Sequence, residues 1–160
     1  MDERTMSGGM LDGVLSALRV LVAEDETIIR LDICGLLEDH GLIVCGQARD
    51  GLEAVELARD LRPDVVLLDV KMPGLDGIEA ARRIYAERPL PIVMLTAFGD
   101  RRLVAKAVDA GVFGYLVKPF REHDVVPALR AAYARHAELL DARRSLGGRA
   151  PVRLEFHART

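Results

Sequence analysis

Asp64-Val65-Val66-Leu67-Leu68-Asp69-Val70-Lys71-Met72-Pro73-Gly74 is an apolar run that ends on a carboxylate and breaks at once into a Pro-Gly turn. Val65 to Leu68 shows no alternation with polar residues, so it reads as a short strand buried on both faces. Asp69 then stands at the C-terminal lip of a sheet, where open α/β folds hold their ligands. Three more runs end in the same manner. Arg19 to Ala23 delivers Glu24 and Asp25, Pro91 to Leu95 delivers Thr96, and Gly114 to Val117 delivers Lys118 ahead of Pro119. Two acids, a hydroxyl and an ammonium thus follow strands and interrupt none.

A fifth apolar run, at 42–47, completes the set, and helical spacing fills the gaps between runs. Ile29, Ile33, Leu36 and Leu37 mark a first helix. Leu52, Val55, Ala58 and Leu61 mark a second, entered through Asp50-Gly51. Ile78, Ala81 and Ile84 or Tyr85 mark a third, after Asp76-Gly77. Leu103, Val104, Ala107 and Val108 mark a fourth, with Gly111 as its C-terminal cap. A fifth begins near His123-Asp124, with Pro127 expected in its first turn, where a missing N–H costs little. Five strand–helix repeats with short connections demand parallel strands and right-handed crossovers, hence a doubly wound α/β sheet of five strands with five helices. The last helix runs on through Val126, Leu129, Tyr133, His136 and Leu140, a seam of about two heptads. Either its first half covers the sheet and its second half is exposed, or the helix extends out to pair with a partner or to lead into an output domain.

The chain divides into a leader at 1–18, a domain at 19–146 and a tail at 147–160 that shows no period and is expected to be disordered. Its 160 residues fit one domain, and 22 basic against 25 acidic residues give a net charge of −3, without the basic footprint of a nucleic-acid binder. Apolar runs fall well short of the roughly 20 residues a membrane helix needs, and the charged start Met1-Asp2-Glu3-Arg4 does not read as a secretory signal. Cys34 and Cys45 lie in apolar segments without metal-type spacing and read as reduced, buried thiols, which places the protein in the cytoplasm. His40, His123, His136 and His157 share no spacing and are expected on the surface.

If the first and third strands are neighbours, Glu24, Asp25 and Asp69 share one pocket, and three carboxylates together repel unless a cation offsets them. A hard divalent ion suits an all-oxygen set, Mg²⁺ in particular. Lys118 adds a fixed positive charge and Thr96 a hydroxyl, so the group suits attack by Asp69 on a phosphoryl group to give an aspartyl phosphate.

These residues, in this order and spacing, resemble the receiver domain of two-component response regulators. The likeness covers roughly residues 19 to 140 and rests on Glu24-Asp25, on Leu67 to Gly77 around Asp69, on Thr96-Ala97 and on Lys118-Pro119-Phe120. It implies a flavodoxin-like sheet of order 2-1-3-4-5. Asp69 becomes the phosphoacceptor. Mg²⁺ is held by Asp25, by Asp69, by Glu24 through water and by the backbone carbonyl of Lys71. Lys118 pairs with the acceptor, Thr96 moves toward the phosphoryl group, and Tyr115 is the aromatic switch. The partner is a sensor histidine kinase or a histidine phosphotransfer protein. The output is a changed surface on the fourth helix, fifth strand and fifth helix, used for a downstream target or a homodimer.

Val22 to Asp32, Val70-Lys71-Met72, Leu95 to Phe98 and Asp124 to Ala128 look further like receivers of antitermination regulators, whose ANTAR output is a small helical RNA-binding domain. The tail after the fifth helix is too short for that output, so nucleic-acid binding is not expected of this chain. Neither a metabolic enzyme nor a membrane protein is expected. One competing function is a degenerate receiver that binds a partner without phosphorylation. An aspartate-nucleophile phosphohydrolase would place a second acid where Lys71 stands, and an FMN binder would need bare N–H groups where Glu24 to Thr27 are acidic.

Overall fold

Unbroken burial of Val65 to Asp69 makes this stretch the middle strand of a parallel sheet. The computed structural model describes residues 17–97, 105 and 110–146. Along the chain the elements are β1 (Arg19–Ala23), α1 (Thr27–Asp39), β2 (Ile43–Ala48), α2 (Gly51–Leu61), β3 (Val65–Asp69), α3 (Gly77–Glu87), β4 (Ile92–Ala97), β5 (Gly114–Lys118) and α4 (Glu122–Ser145). The sheet order is β2-β1-β3-β4-β5, every pair parallel. The fold is the expected doubly wound, flavodoxin-like one, with four helices among the described residues. The fourth expected helix, Leu103 to Val108, lies outside them apart from Ala105, as do Phe98, most of the leader and the whole tail.

Strand alternation sends successive side chains to opposite faces and so builds two cores. Leu21, Ala23, Val66, Leu68, Ile92 and Met94 pack under α2 and α3. Val20, Val22, Val65, Leu67, Val93 and Leu95 pack under α1 and α4. Asp50 and Asp76 cap their helices, each accepting the N–H of the glutamate three residues on, at 2.8 and 2.9 Å. The edge strand β2 bulges at Cys45, where the register with β1 jumps from Val44 to Gly46. Cys34 is buried, Cys45 half-buried, and burial pushes both thiols above their ordinary pKa.

The last helix departs from expectation in three places. It starts at Glu122, so Pro127 falls in its second turn, where the missing N–H removes one helical bond. The apolar seam of its second half is covered although the rest of that half is exposed: Leu139 is buried with the α1-side core, and Tyr133 and Leu140 are half-buried. His136 is not on the surface either. It is only 5% exposed, edge-on to the rings of Tyr85 and Phe113, at centroid distances of 6.1 and 5.1 Å. The seam continues past the strands because Tyr85 of α3 and Phe113, just before β5, supply aromatic rings to receive it.

Burial, then the cations Arg143 and Arg88, push the His136 pKa below its ordinary value. A histidine depressed in the fold gives stability that is present above its unfolded pKa, about 6.5, and lost as pH falls through the folded value. Thermal melts at about pH 7 and about pH 5 should therefore show an acid-side loss in the wild type that is smaller in His136→Leu.

Candidate functional site

Strands β1 and β3 lie side by side, but the chain leaves them for opposite flanks of the sheet, which opens a crevice between their ends. Glu24 and Asp25 follow β1 and Asp69 closes β3. One oxygen from each of these three carboxylates lies within 4.8 Å of the others. Glu24 is fully buried and Asp69 is 5% exposed, whereas Asp25 is exposed. Glu26 rather than Asp25 occupies the N-cap position of α1 and makes no side-chain cap bond, so Asp25 is left to face the crevice. A cleft of about 210 Å³ lies here, lined by Asp25, Glu26, Asp69, Lys71, Ala97 and Lys118, among others.

Lys118, at the end of β5, reaches across β4 and β3. Its Nζ donates to Asp69 Oδ2 at 2.7 Å and to Glu24 Oε1 at 2.9 Å. Burial alone lowers the ammonium pKa, but the bonds to Asp69 and Glu24 outweigh it and hold the group above its ordinary value. Glu24 moves the other way from a usual carboxylate. Burial first, then the neighbouring Asp69, pushes its pKa up to about 8 against the relief from Lys118. Asp69 Oδ1 accepts the backbone N–H of Lys71 at 3.1 Å, so both acceptor oxygens are anchored.

Thr96 is buried on the neighbouring strand, and its hydroxyl donates to the Ala97 carbonyl at 3.4 Å, a long bond. It does not line the cleft. Tyr115 sits half-buried on β5 opposite Met94, packed against the α2/α3-side core, with burial pushing its phenol up to about 12. The structure thus gathers Glu24, Asp25, Asp69 and Lys118 at one point, keeps Lys71 at the rim, and leaves Thr96 and Tyr115 outside the cleft lining.

The fit of this pocket to a cation can be judged from one atom. Glu24 Oε2 is buried and has no hydrogen-bond partner among the described residues, a costly state for a carboxylate oxygen. With three acids supplying only oxygen, the set suits a hard divalent ion such as Mg²⁺.

Gly77 shapes the loop after Asp69. Its N–H donates to the Val70 carbonyl at 2.9 Å, and a Cβ there would collide with the Asp69 carbonyl oxygen and the Val70 Cα. These are backbone atoms at the acceptor itself and cannot swing away. Gly77→Ala should cost about 1–3 kcal/mol of stability in denaturant unfolding and displace the acceptor, which labelling kinetics would register as a slower reaction.

Two residues of the site environment escaped the sequence reading. Arg30 of α1 is buried behind the acidic pair, and Gln47 of β2 is bonded to it. The signal for Arg30 was available, since it lies three and four residues from Ile33 and Cys34 on the buried stripe of α1.

Comparison with known proteins bears on this arrangement. The family model of the response regulator receiver domain matches residues 20–130. The transcriptional regulatory protein PdtaR of Mycobacterium tuberculosis is 52% identical over 121 residues, which are 76% of this chain and 59% of that protein. The response regulator GacA of Pseudomonas aeruginosa is 39% identical over 119 residues, 73% of this chain and 56% of that one. The chain thus spans somewhat over half the length of these relatives. Among solved structures, the signal receiver domain of the putative response regulator NarL from Mycobacterium tuberculosis superposes with a TM-score of 0.70 at 31% identity, covering 74% of this chain and 97% of that one. The receiver domain of a modulated diguanylate cyclase from Desulfovibrio desulfuricans G20 gives 0.71 at 34%, covering 76% and 98%.

Proposed function

The chain belongs to the response regulator receiver domain family of two-component systems, and from that premise we propose that Asp69 accepts a phosphoryl group from a histidine kinase or a histidine phosphotransfer protein. The observation that carries the reading is the pair of hydrogen bonds that Lys118 Nζ donates to Asp69 and Glu24 above a cleft that Asp25 borders. A carboxylate oxygen of Asp69 attacks phosphorus, the bond from phosphorus to the donor's imidazole nitrogen breaks, and that nitrogen keeps the electron pair. An acyl phosphate remains on Asp69. Glu24, Asp25, Asp69 and the Lys71 carbonyl are the groups that would hold Mg²⁺, which supplies charge to offset the phosphoryl oxygens. Lys118, already paired with Asp69, stays beside the new phosphate and neutralises part of its charge. The domain takes up one phosphoryl group by its own chemistry and loses it slowly to water as inorganic phosphate, which regenerates Asp69, so it works as a switch and not as a metabolic enzyme.

Signal output follows from the ladder between β4 and β5. Thr96 gives up its long bond to Ala97 and turns its hydroxyl to the phosphate, at little cost. Tyr115 and Val117 of β5 are paired with Met94 and Thr96 of β4, so the shift biases the surface that β5, α4 and the segment before β5 present to a target or a second copy. Residues 19–146 form the receiver unit in this reading.

A protein donor must bring its phosphohistidine to the mouth of the cleft. Lys118 also borders an apolar groove of about 840 Å³ formed by Ile29, Leu31, Leu36, Pro119 and Phe120, and Ile28 and Leu31 on α1 are 77% and 53% exposed. This groove suits the donor's docking face. Leu31→Glu should slow transfer from a phosphorylated protein donor on the order of tenfold and leave labelling by acetyl phosphate unchanged. Equal transfer by the variant and the wild type would place the docking face elsewhere. Absence of any transfer to the wild type, from protein or small-molecule donors, would favour a phosphorylation-independent binding module instead.

A further inference from the structure

Among the described residues, five polar or charged side chains are buried: Glu24, Asp69, Thr96, His136 and Arg30. Arg30 is the one member whose charge is permanent, and a buried guanidinium is unfavourable unless its donors are met. Its bonds go to the flank of the acidic pair. Nη1 donates to the backbone carbonyl of Glu24 at 2.8 Å, and Nε donates to Gln47 Oε1 at 3.1 Å. From the other side, the Glu24 N–H donates to the Ala48 carbonyl at the end of β2, at 3.0 Å. Both peptide groups around the Glu24 Cα are therefore held, one by β2 and one by Arg30. This clamp acts where the chain leaves β1 and ladder bonds run out, so without Arg30 the Glu24 carbonyl would be a strand-end acceptor free to rotate. Rotation there would redirect the two consecutive carboxylates, Glu24 pointing inward to Lys118 and Asp25 pointing out to the cleft.

We infer that Arg30 is a positioning residue for the divalent-cation site: by holding the Glu24 carbonyl it sets the directions of the Glu24–Asp25 pair. The inference rests on the reading that these acids hold Mg²⁺. Arg30 does not line the cleft and touches no reacting atom. Its guanidinium fork spans Glu24 and Gln47 together, whereas a lysine ammonium would serve one of them as a point charge.

The test is calorimetric titration of Mg²⁺ into the full chain for wild type, Arg30→Met, Arg30→Lys and Gln47→Leu, with the metal-free melting temperature of each. Arg30→Met should raise the Mg²⁺ Kd roughly 10- to 100-fold, with Arg30→Lys between it and the wild type. A role confined to stability would lower the metal-free melting temperature and leave Kd in place, and that result overturns the inference. Should Arg30→Met fail to fold, Gln47→Leu decides. It loosens one arm of the fork and should weaken Mg²⁺ severalfold, and an unchanged Kd overturns the inference here too. A wild type that does not bind Mg²⁺ would sink the metal reading itself, whereas a wild type that binds beside variants that bind equally well would sink only the role of Arg30.

Discussion

Asp69→Asn should abolish covalent phosphorylation outright. Intact-protein mass after incubation with acetyl phosphate and Mg²⁺ should show one added phosphoryl group on the wild type and none on the variant. The substitution is nearly isosteric, and the amide oxygen can still accept the Lys71 N–H that now meets Oδ1. What disappears is the nucleophile, since a neutral amide oxygen does not attack phosphorus at a useful rate. The fold should survive, because the change also removes a like charge that now helps to raise the Glu24 pKa. A folded variant that still takes up phosphate would move the acceptor away from Asp69. A wild type that takes up none would leave the domain as a binding module with the same fold.

Mg²⁺ should raise the melting temperature of the wild type, and Asp25→Ala should erase that gain. At a hundredfold excess over Kd, binding to the folded state alone contributes about 2.7 kcal/mol, or roughly 8–12 °C for a domain of this size. Asp25 is the suitable probe, because it is the exposed member of the cluster and makes no cap bond whose loss would confuse the result. The gain should also depend on pH in a defined direction. With its pKa at about 8 in the fold against an ordinary 4.5, Glu24 carries a proton across that window that the unfolded chain has released. The resulting stability is complete below the unfolded value and is lost as pH rises through the folded one. Metal and proton compete for the same carboxylate, so the Mg²⁺ gain should be larger at about pH 9 than at about pH 6. An equal gain at both values would mean that Glu24 is ionised before metal arrives.

These two experiments separate the roles of neighbouring acids. Asp69 is tested as a nucleophile by a variant that keeps its shape, and Asp25 as a ligand by a variant read without any phosphodonor. Asp69 is itself among the proposed ligands, so Asp69→Asn should also weaken the Mg²⁺ response, whereas Asp25→Ala keeps the nucleophile and loses the metal that assists it.

Much of the fold was legible in the chain because strand ends and helix faces are local properties. Val65 to Leu68 had to be a strand covered on both faces, Asp50-Gly51 and Asp76-Gly77 marked where two helices begin, and each chemical group of the cleft stood at the end of an apolar run. The strand order came from resemblance rather than from periodicity, because nothing local to β1 says which strand will lie beside it. Only the tertiary structure could bring Lys118 onto Glu24 and Asp69, which lie 94 and 49 residues away along the chain. It also made Glu24 a buried acid with a raised pKa, gave Arg30 a carbonyl to hold, and carried His136 inward between two rings. Periodicity and capping are settled by residues a few positions apart, and these the sequence determined by itself. Burial and the pKa of a charged group depend on which distant segment covers it, and that the tertiary structure alone decided.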